Sequence, residues 1–149
     1  MLTETKKKKH FFKEGAITPD QIAESIAKHS QKKNIGAHQL FLGQVRADVI
    51  HEKTVYAIEY SAYEEMAENE IEKFRENIIQ KHQLTCAHIL HSLGKVKAGE
   101  ISLFVFVSSP HRKAAIDACK ELVDLIKKDV PVFGKEIFED ESYQWKEDN

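Results

Sequence analysis

The stretch Ile101-Ser102-Leu103-Phe104-Val105-Phe106-Val107, followed at once by Ser108-Ser109-Pro110-His111-Arg112, decides how this chain folds. The first run is apolar at nearly every position and shows no polar alternation. That pattern predicts a strand buried on both faces, at the centre of a sheet. The second run makes a sharp exit into a helix. The helix reaches about Lys128, with Ala115, Ala118, Cys119, Leu122, Leu125 and Ile126 turned inward, and Pro131 forbids its continuation.

Working outward, Cys86 to His91 reads as a short strand, joined to the central one by a glycine-punctuated connection, Leu93 to Glu100. Glu64 to Lys81 is the clearest amphipathic helix, with Met66, Ala67, Ile71, Phe74 and Ile78 on one side. Ala37 to Val45 and Val55 to Tyr60 are strands on either side of a polar loop, Asp48 to Thr54. Thr18-Pro19 opens a first helix, the threonine as cap and the proline in the first helical position. Downstream, Val132 to Phe138 and Tyr143 to Lys146 are short strands around an acidic turn. Strand pairs separated by helices predict an α+β, two-layer fold, with a mainly antiparallel sheet packed against helices. Residues 1–14, with the run Lys6 to Lys9, read as a flexible basic tail, and 15–149 as a single domain.

Composition narrows the function by exclusion. The 149 residues carry 22 Lys+Arg against 24 Asp+Glu, a formal net charge of −2, which speaks against a dedicated nucleic-acid binder. No apolar run approaches the ~20 residues of a membrane span. Cys86 and Cys119 form neither a disulfide framework nor a CxxC, which predicts a reduced, cytoplasmic setting. The histidines follow no metal-ligand spacing. His88 and His91, three apart on a strand, point to opposite faces, so no metal site is predicted. Gly94 and Gly99 fit neither a dinucleotide fingerprint nor a P-loop, and no nucleophile elbow surrounds Ser108 or Ser109.

Anion binding is the class the residues favour. Ser109-Pro110-His111-Arg112 stands where a buried strand opens a helix, and free N–H groups and the helix dipole attract anions there. Arg46 ends an apolar strand and reaches the same region if the two strands are neighbours. Lys127, at the end of the last helix, is preceded by apolar residues and followed by Pro131-Val132-Phe133. Partial burial in such a place lowers a lysine's pKa and suits it to acid–base work. Lys135 follows Gly134 in a short strand. Together these residues predict a basic pocket without naming its ligand.

The motifs Phe41-Leu42-Gly43-Gln44-Val45-Arg46, Ile58 to Tyr63, His91-Ser92-Leu93-Gly94 with Gly99-Glu100, Ser109-Pro110-His111-Arg112, and Lys127 through Pro131 to Lys135-Glu136 resemble, in order and spacing, the catalytic (large) subunit family of molybdopterin synthase. The resemblance covers about Ile35 to Lys146. It implies a hammerhead-type fold and a homodimer that binds two small ubiquitin-like sulfur carriers, making a heterotetramer. The carrier's C-terminal Gly-Gly thiocarboxylate would donate sulfur to cyclic pyranopterin monophosphate, with no cofactor and no metal. By position, Gln44, Val45, Arg46, His111 and Arg112 fall on the family's substrate-binding segments. Lys127 falls on its essential lysine, and Gly134, Lys135 and Glu136 on a further contact segment. Lys127 and Lys135 are thus the candidate catalytic residues. Some family members carry Trp-Lys-Arg/Lys-Glu where this chain has Phe133-Gly134-Lys135-Glu136, so their first basic residue is a glycine here. The alternative reading is a non-catalytic module that binds a ubiquitin-like partner or an anionic metabolite.

Overall fold

The central strand is β6 (Ile101–Ser109), hydrogen-bonded on one side to β2 (Ala37–Gln44) and on the other to β5 (Cys86–Lys97), antiparallel to both. The structure is a computed structural model that describes residues 11–146. Both faces of β6 are covered. Leu103, Val105 and Val107 pack under α2 (Glu64–His82) and α3 (Arg112–Asp129), in the main core with Ile71, Ile78, Ala118, Leu122 and Ile126. Phe104 and Phe106 point the other way and meet Ile17 and Ile22, the latter on α1 (Pro19–His29). The unbroken apolar run is therefore a two-sided strand, as its composition predicts. The helix starts also agree. Thr18 accepts from the Gln21 N–H, and the Gln21 side chain returns to the Thr18 N–H, closing a capping box with Pro19 in the first turn.

The sheet continues from β5 through β4 (Lys53–Ala62) to β7 (Val132–Phe138) and β8 (Tyr143–Trp145). β5 is longer than its sequence suggests. It pairs with β6 over Cys86–His91 and with β4 over Gly94–Lys97, so Gly94 marks a change of partner rather than a strand end. Gly94 turns there at a φ of 77°, in the left-handed region that glycine tolerates. The polar segment after Arg46 also holds a tight hairpin: β3 (Val49–Ile50) pairs with the start of β4 across His51-Glu52.

One boundary moves. Residues 12–14, expected in the tail, form β1 (Phe12–Glu14), parallel to β5 at His91–Leu93, and Phe11 is buried. The reason is a hydrophobic anchor: Phe11 joins the main core while its carbonyl accepts from the His91 N–H at 2.7 Å. The packed chain thus starts ahead of residue 15. The lysine run Lys6–Lys9 lies outside the described residues.

The turn from β6 into α3 is held from the start of β2. The Gly36 N–H donates to the Ser109 carbonyl at 3.0 Å, and a Cβ at position 36 would stand 2.1 Å from the Pro110 oxygen. No larger residue fits that approach. α3 then doubles back over β6 and β2, so its last turn lies at the Gln44–Ile101 end of the sheet.

Phe106 tests the two-sided reading. It is fully buried, so Phe106→Ala is expected to cost ~3–5 kcal/mol, the usual range for truncating a core aromatic. Denaturant unfolding measures it. A cost within ~0.5 kcal/mol, typical of a surface site, would contradict burial on this face.

Candidate active site

The end of α3, β7 and the sheet enclose a cleft of about 180 Å³. Ile126, Lys127 and Val130 of the helix end form one wall, and Val132, Phe133 and Gly134 of β7 another. Its floor is Tyr60 of β4, His91 of β5 and Ser102 and Leu103 of β6, and Lys146 closes the side beyond β8. Four strands and one helix therefore converge on it.

The floor is polar and largely buried. The His91 Nδ1 lies 2.7 Å from the Ser92 carbonyl, to which it donates, and its ring meets Tyr60 edge-on at 5.1 Å. Burial, with Lys127 close by, pushes the imidazole down to about 4, so it is neutral at ordinary pH. The Tyr60 hydroxyl donates to the Ser102 hydroxyl at 3.1 Å, and burial holds the phenol above its ordinary value. Lys127 sits at the mouth. Its head reaches solvent, but the apolar helix end and β7 dehydrate it, and the charges of Lys146 and Arg46 repel it; all three effects lower its pKa.

The structure divides the predicted residues into groups. Arg46, just past β2, is near enough to act on Lys127, and its Nε lies 3.3 Å from Asp48. Gln44 ends β2 against Ile101, and Val45 is buried in a small satellite core. Gly134 lines the cleft, but Lys135 does not. Adjacent strand residues face opposite sides, and Lys135 is 3.6 Å from Glu59, with its ammonium 4.5 Å from the Tyr143 ring centre. The expected convergence of Lys135 with Lys127 is thus not found. Glu136 is buried, and its carboxylate accepts from the Gln144 amide at 3.1 Å.

His111 and Arg112 are the second correction. They stand at the opposite end of α3 from Lys127, fifteen residues away. At 1.5 Å per residue that is about 22 Å along the helix. One chain cannot bring both groups to one phosphate.

Sequence reasoning missed Tyr60, His91, Ser102 and Lys146. The first three look like ordinary strand residues, and only the change of partner along β5 brings them under the helix end. Lys146 carries no local signal. The cysteines behave as core residues: both are buried, and burial pushes the Cys119 thiol up to about 11. Of the aromatic residues in the last strands, Phe138 is core, whereas Phe133 and Trp145 are exposed. His88 meets His29 on the α1 side of the sheet, their Nε2 atoms 2.8 Å apart, on the face opposite His91.

Fold and cleft together define a class: an α+β protein whose cleft is edged by a partly dehydrated lysine, Lys127, and a second lysine, Lys146. The MoaE protein family model matches residues 14–129, most of the chain, and this chain belongs to that family. It is 39% identical over 122 residues to the molybdopterin synthase catalytic subunit of Bacillus subtilis, covering 82% of this chain and 76% of that one. It is 40% identical to the bovine catalytic subunit over 111 residues, 74% of this chain and 58% of that one. The chain spans little more than half the length of the bovine, rat and human relatives. Molybdopterin synthase from Staphylococcus aureus superposes with a TM-score of 0.80 at 30% identity, over 93% of this chain and 96% of that one. Among the described residues no helix is long and apolar enough to cross a membrane.

His91 sets a pH dependence. An imidazole free in the unfolded chain titrates near 6.5, and in the fold His91 stays neutral down to about 4. Between those values the unfolded chain binds more protons. The His91 contribution is therefore complete above pH 6.5 and is lost as pH falls toward 4. The loss is about 3 kcal/mol at 1.36 kcal/mol per pH unit. Denaturant unfolding of the wild type and His91→Gln from pH 7 to 4 should show a shallower decline in the variant. Parallel declines would assign the effect elsewhere.

Proposed function

We propose that this chain is the sulfur-transferring subunit of a molybdopterin synthase, working in the cytoplasm in molybdenum cofactor biosynthesis. Its substrate is cyclic pyranopterin monophosphate. Its sulfur comes from the C-terminal thiocarboxylate of a small ubiquitin-like carrier. The observation that carries the reading is Lys127, partly dehydrated at the mouth of a cleft whose other charged lining residue among those described, Lys146, is also a cation.

The chemistry follows from that placement. In each of two rounds the thiocarboxylate sulfur attacks a carbon of the pterin side chain and the C–O bond there breaks. The oxygen leaves on the phosphate as its ring opens at one carbon, and as water at the other, so that the carrier is joined to the pterin through a thioester. Water then cleaves this link, which returns the carrier as a carboxylate and leaves the sulfur on the pterin. Both steps move protons and develop negative charge on oxygen. A lysine with a lowered pKa gives and takes protons more readily than an ordinary one, and as a cation it stabilises the oxyanion. Arg46 binds the phosphate by charge-assisted hydrogen bonds. Lys135, engaged by Glu59 and the aromatic rings outside the cleft, is left out of the proton transfers.

The ~22 Å along α3 between Arg112 and Lys127 supports a homodimer. A second copy related by a twofold axis brings its His111 and Arg112 to the first copy's Lys127, and the reverse contact follows by symmetry. The carrier tail enters as an extended peptide beside β7 and β8, where Phe133 and Trp145 are exposed. Two carriers on one dimer make the heterotetramer.

Reconstitution with thiocarboxylated carrier and the cyclic precursor should yield the dithiolene product, and Lys127→Ala should abolish it without unfolding the protein. Full activity in that variant would refute the role. Mixed dimers test the sharing. Lys127→Ala and Arg112→Ala proteins are each expected to be inactive. Unfolded and refolded together in equal amounts, they should regain roughly a quarter of wild-type activity, because random pairing leaves one intact site in each mixed dimer. No recovery would place both residues in one chain's site.

A further inference from the structure

We propose that Lys146 is the anion-binding cation on the β7 side of the cleft, delivered from the neighbouring strand to the place where position 134 has no side chain. The inference rests on the reading of the cleft as an anion site, and it names a residue that reading leaves without a role.

Position 134 is a glycine in a strand, and a side chain there fits if one neighbour gives by a few tenths of an ångström. A Cβ built there would meet Ile58 Cγ2 at 3.1 Å, tighter than ordinary contact, and Tyr60 at 3.6 Å. The third neighbour is Lys146, whose Cβ would lie 3.7 Å away. The two positions are paired across strands: the Lys146 N–H donates to the Gly134 carbonyl at 2.8 Å. Cross-strand partners share a face, so the Lys146 side chain starts from nearly the point a residue-134 side chain would occupy. Both residues line the same cleft as Lys127.

The other basic side chains nearby each have a carboxylate neighbour, which in Arg46 leaves further N–H donors for a phosphate. Arg46 is paired with Asp48, and Lys135 faces Glu59 and the Tyr143 ring outside the cleft. Among the described residues Lys146 has no carboxylate partner, and it is solvent-exposed at the cleft edge. A cation with no ion-pair partner beside a like-charged, partly dehydrated lysine is poorly placed unless an anion comes between them. Lys146 is, accordingly, the leading charge acting on Lys127. The same pair then does two jobs: it holds a phosphate or carboxylate oxygen, and it keeps the Lys127 ammonium easy to deprotonate while the site is empty.

The test uses the whole chain and inorganic phosphate as probe, with the lysine side chains followed by NMR as phosphate and pH are varied. In the wild type, phosphate should shift the Lys127 signal. Lys146→Gln should weaken that binding about tenfold, the worth of one charge-assisted hydrogen bond, and raise the Lys127 titration midpoint. Lys146→Arg should keep the affinity. Gly134→Lys combined with Lys146→Gln should recover it, because the charge returns from the paired position. Unchanged phosphate affinity in Lys146→Gln overturns the proposal, as does a wild type whose Lys127 signal ignores phosphate. Turnover is read separately. If phosphate binding follows Lys146 but reconstitution yields no product, the sulfur-transfer reading fails and the anion site stands.

Discussion

The direction in which α3 leaves β6 governs everything the cleft contains. Gly36 allows the Pro110 carbonyl to come against the start of β2, and the Gly36 N–H fixes Ser109. From that turn the helix can only run back over the sheet. Its first turn, with His111 and Arg112, stays at the Ala37–Ser109 end, and its last turn carries Lys127 to the Gln44–Ile101 end. The double burial of β6 makes this direction stiff: Leu103, Val105 and Val107 anchor the helices, and Phe104 and Phe106 anchor the opposite face. A slip of one residue along β6 would exchange these sets, which interior packing does not allow. The position of the lysine is thus set by packing far from the cleft.

A net charge of −2 conceals how the charges are arranged. Many carboxylates are used at the surface, in pairs such as Lys113–Asp117 and Lys120–Asp124 on α3 and Lys81–Glu121 between helices. Exposed pairs of this kind add little stability. They do neutralise the outside of the molecule, leaving Lys127 and Lys146 at the cleft without a carboxylate partner among the described residues. The floor below them contributes no charge: His91 is neutral and Tyr60 keeps its proton. The cleft thus has cations at its rim over a largely buried, uncharged base, where electrostatic attraction is stronger than in water.

Much of this was legible in the sequence, for definable reasons. β6 is an unbroken apolar run, α2 and α3 repeat their apolar residues at helical spacing, and α1 begins with a cap and Pro19, so their positions follow from local patterns. Lys127 could be singled out because apolar residues and Pro131 surround it in the chain itself. β1 could not, since its strand is three residues long and depends on Phe11 finding the core. The full length of β5 was hidden because glycines usually end strands, and here Gly94 marks a change of partner. The separation of His111 and Arg112 from Lys127 is readable as a helix length, fifteen residues at about 1.5 Å each. Lys146 could not be placed, because the turn between β7 and β8 is readable but the register that sets Lys146 beside Gly134 is not.

The departure at position 134 bears on how a binding charge can move without a change of fold. In a helix, a lost side chain is best replaced three or four residues away on the same element. In a sheet, the nearest neighbour on the same face belongs to the next strand, about 5 Å away. A charge removed from one strand is therefore most easily supplied from its partner, while the next residue along the same strand faces the wrong side. Lys135 and Lys146 illustrate the two cases. Lys135 is adjacent in sequence to Gly134, but its ammonium rests over the Tyr143 and Trp145 rings. Lys146 is distant in sequence and lines the cleft. For an anion in that cleft, what matters is where the ammonium stands, and the strand it hangs from is secondary.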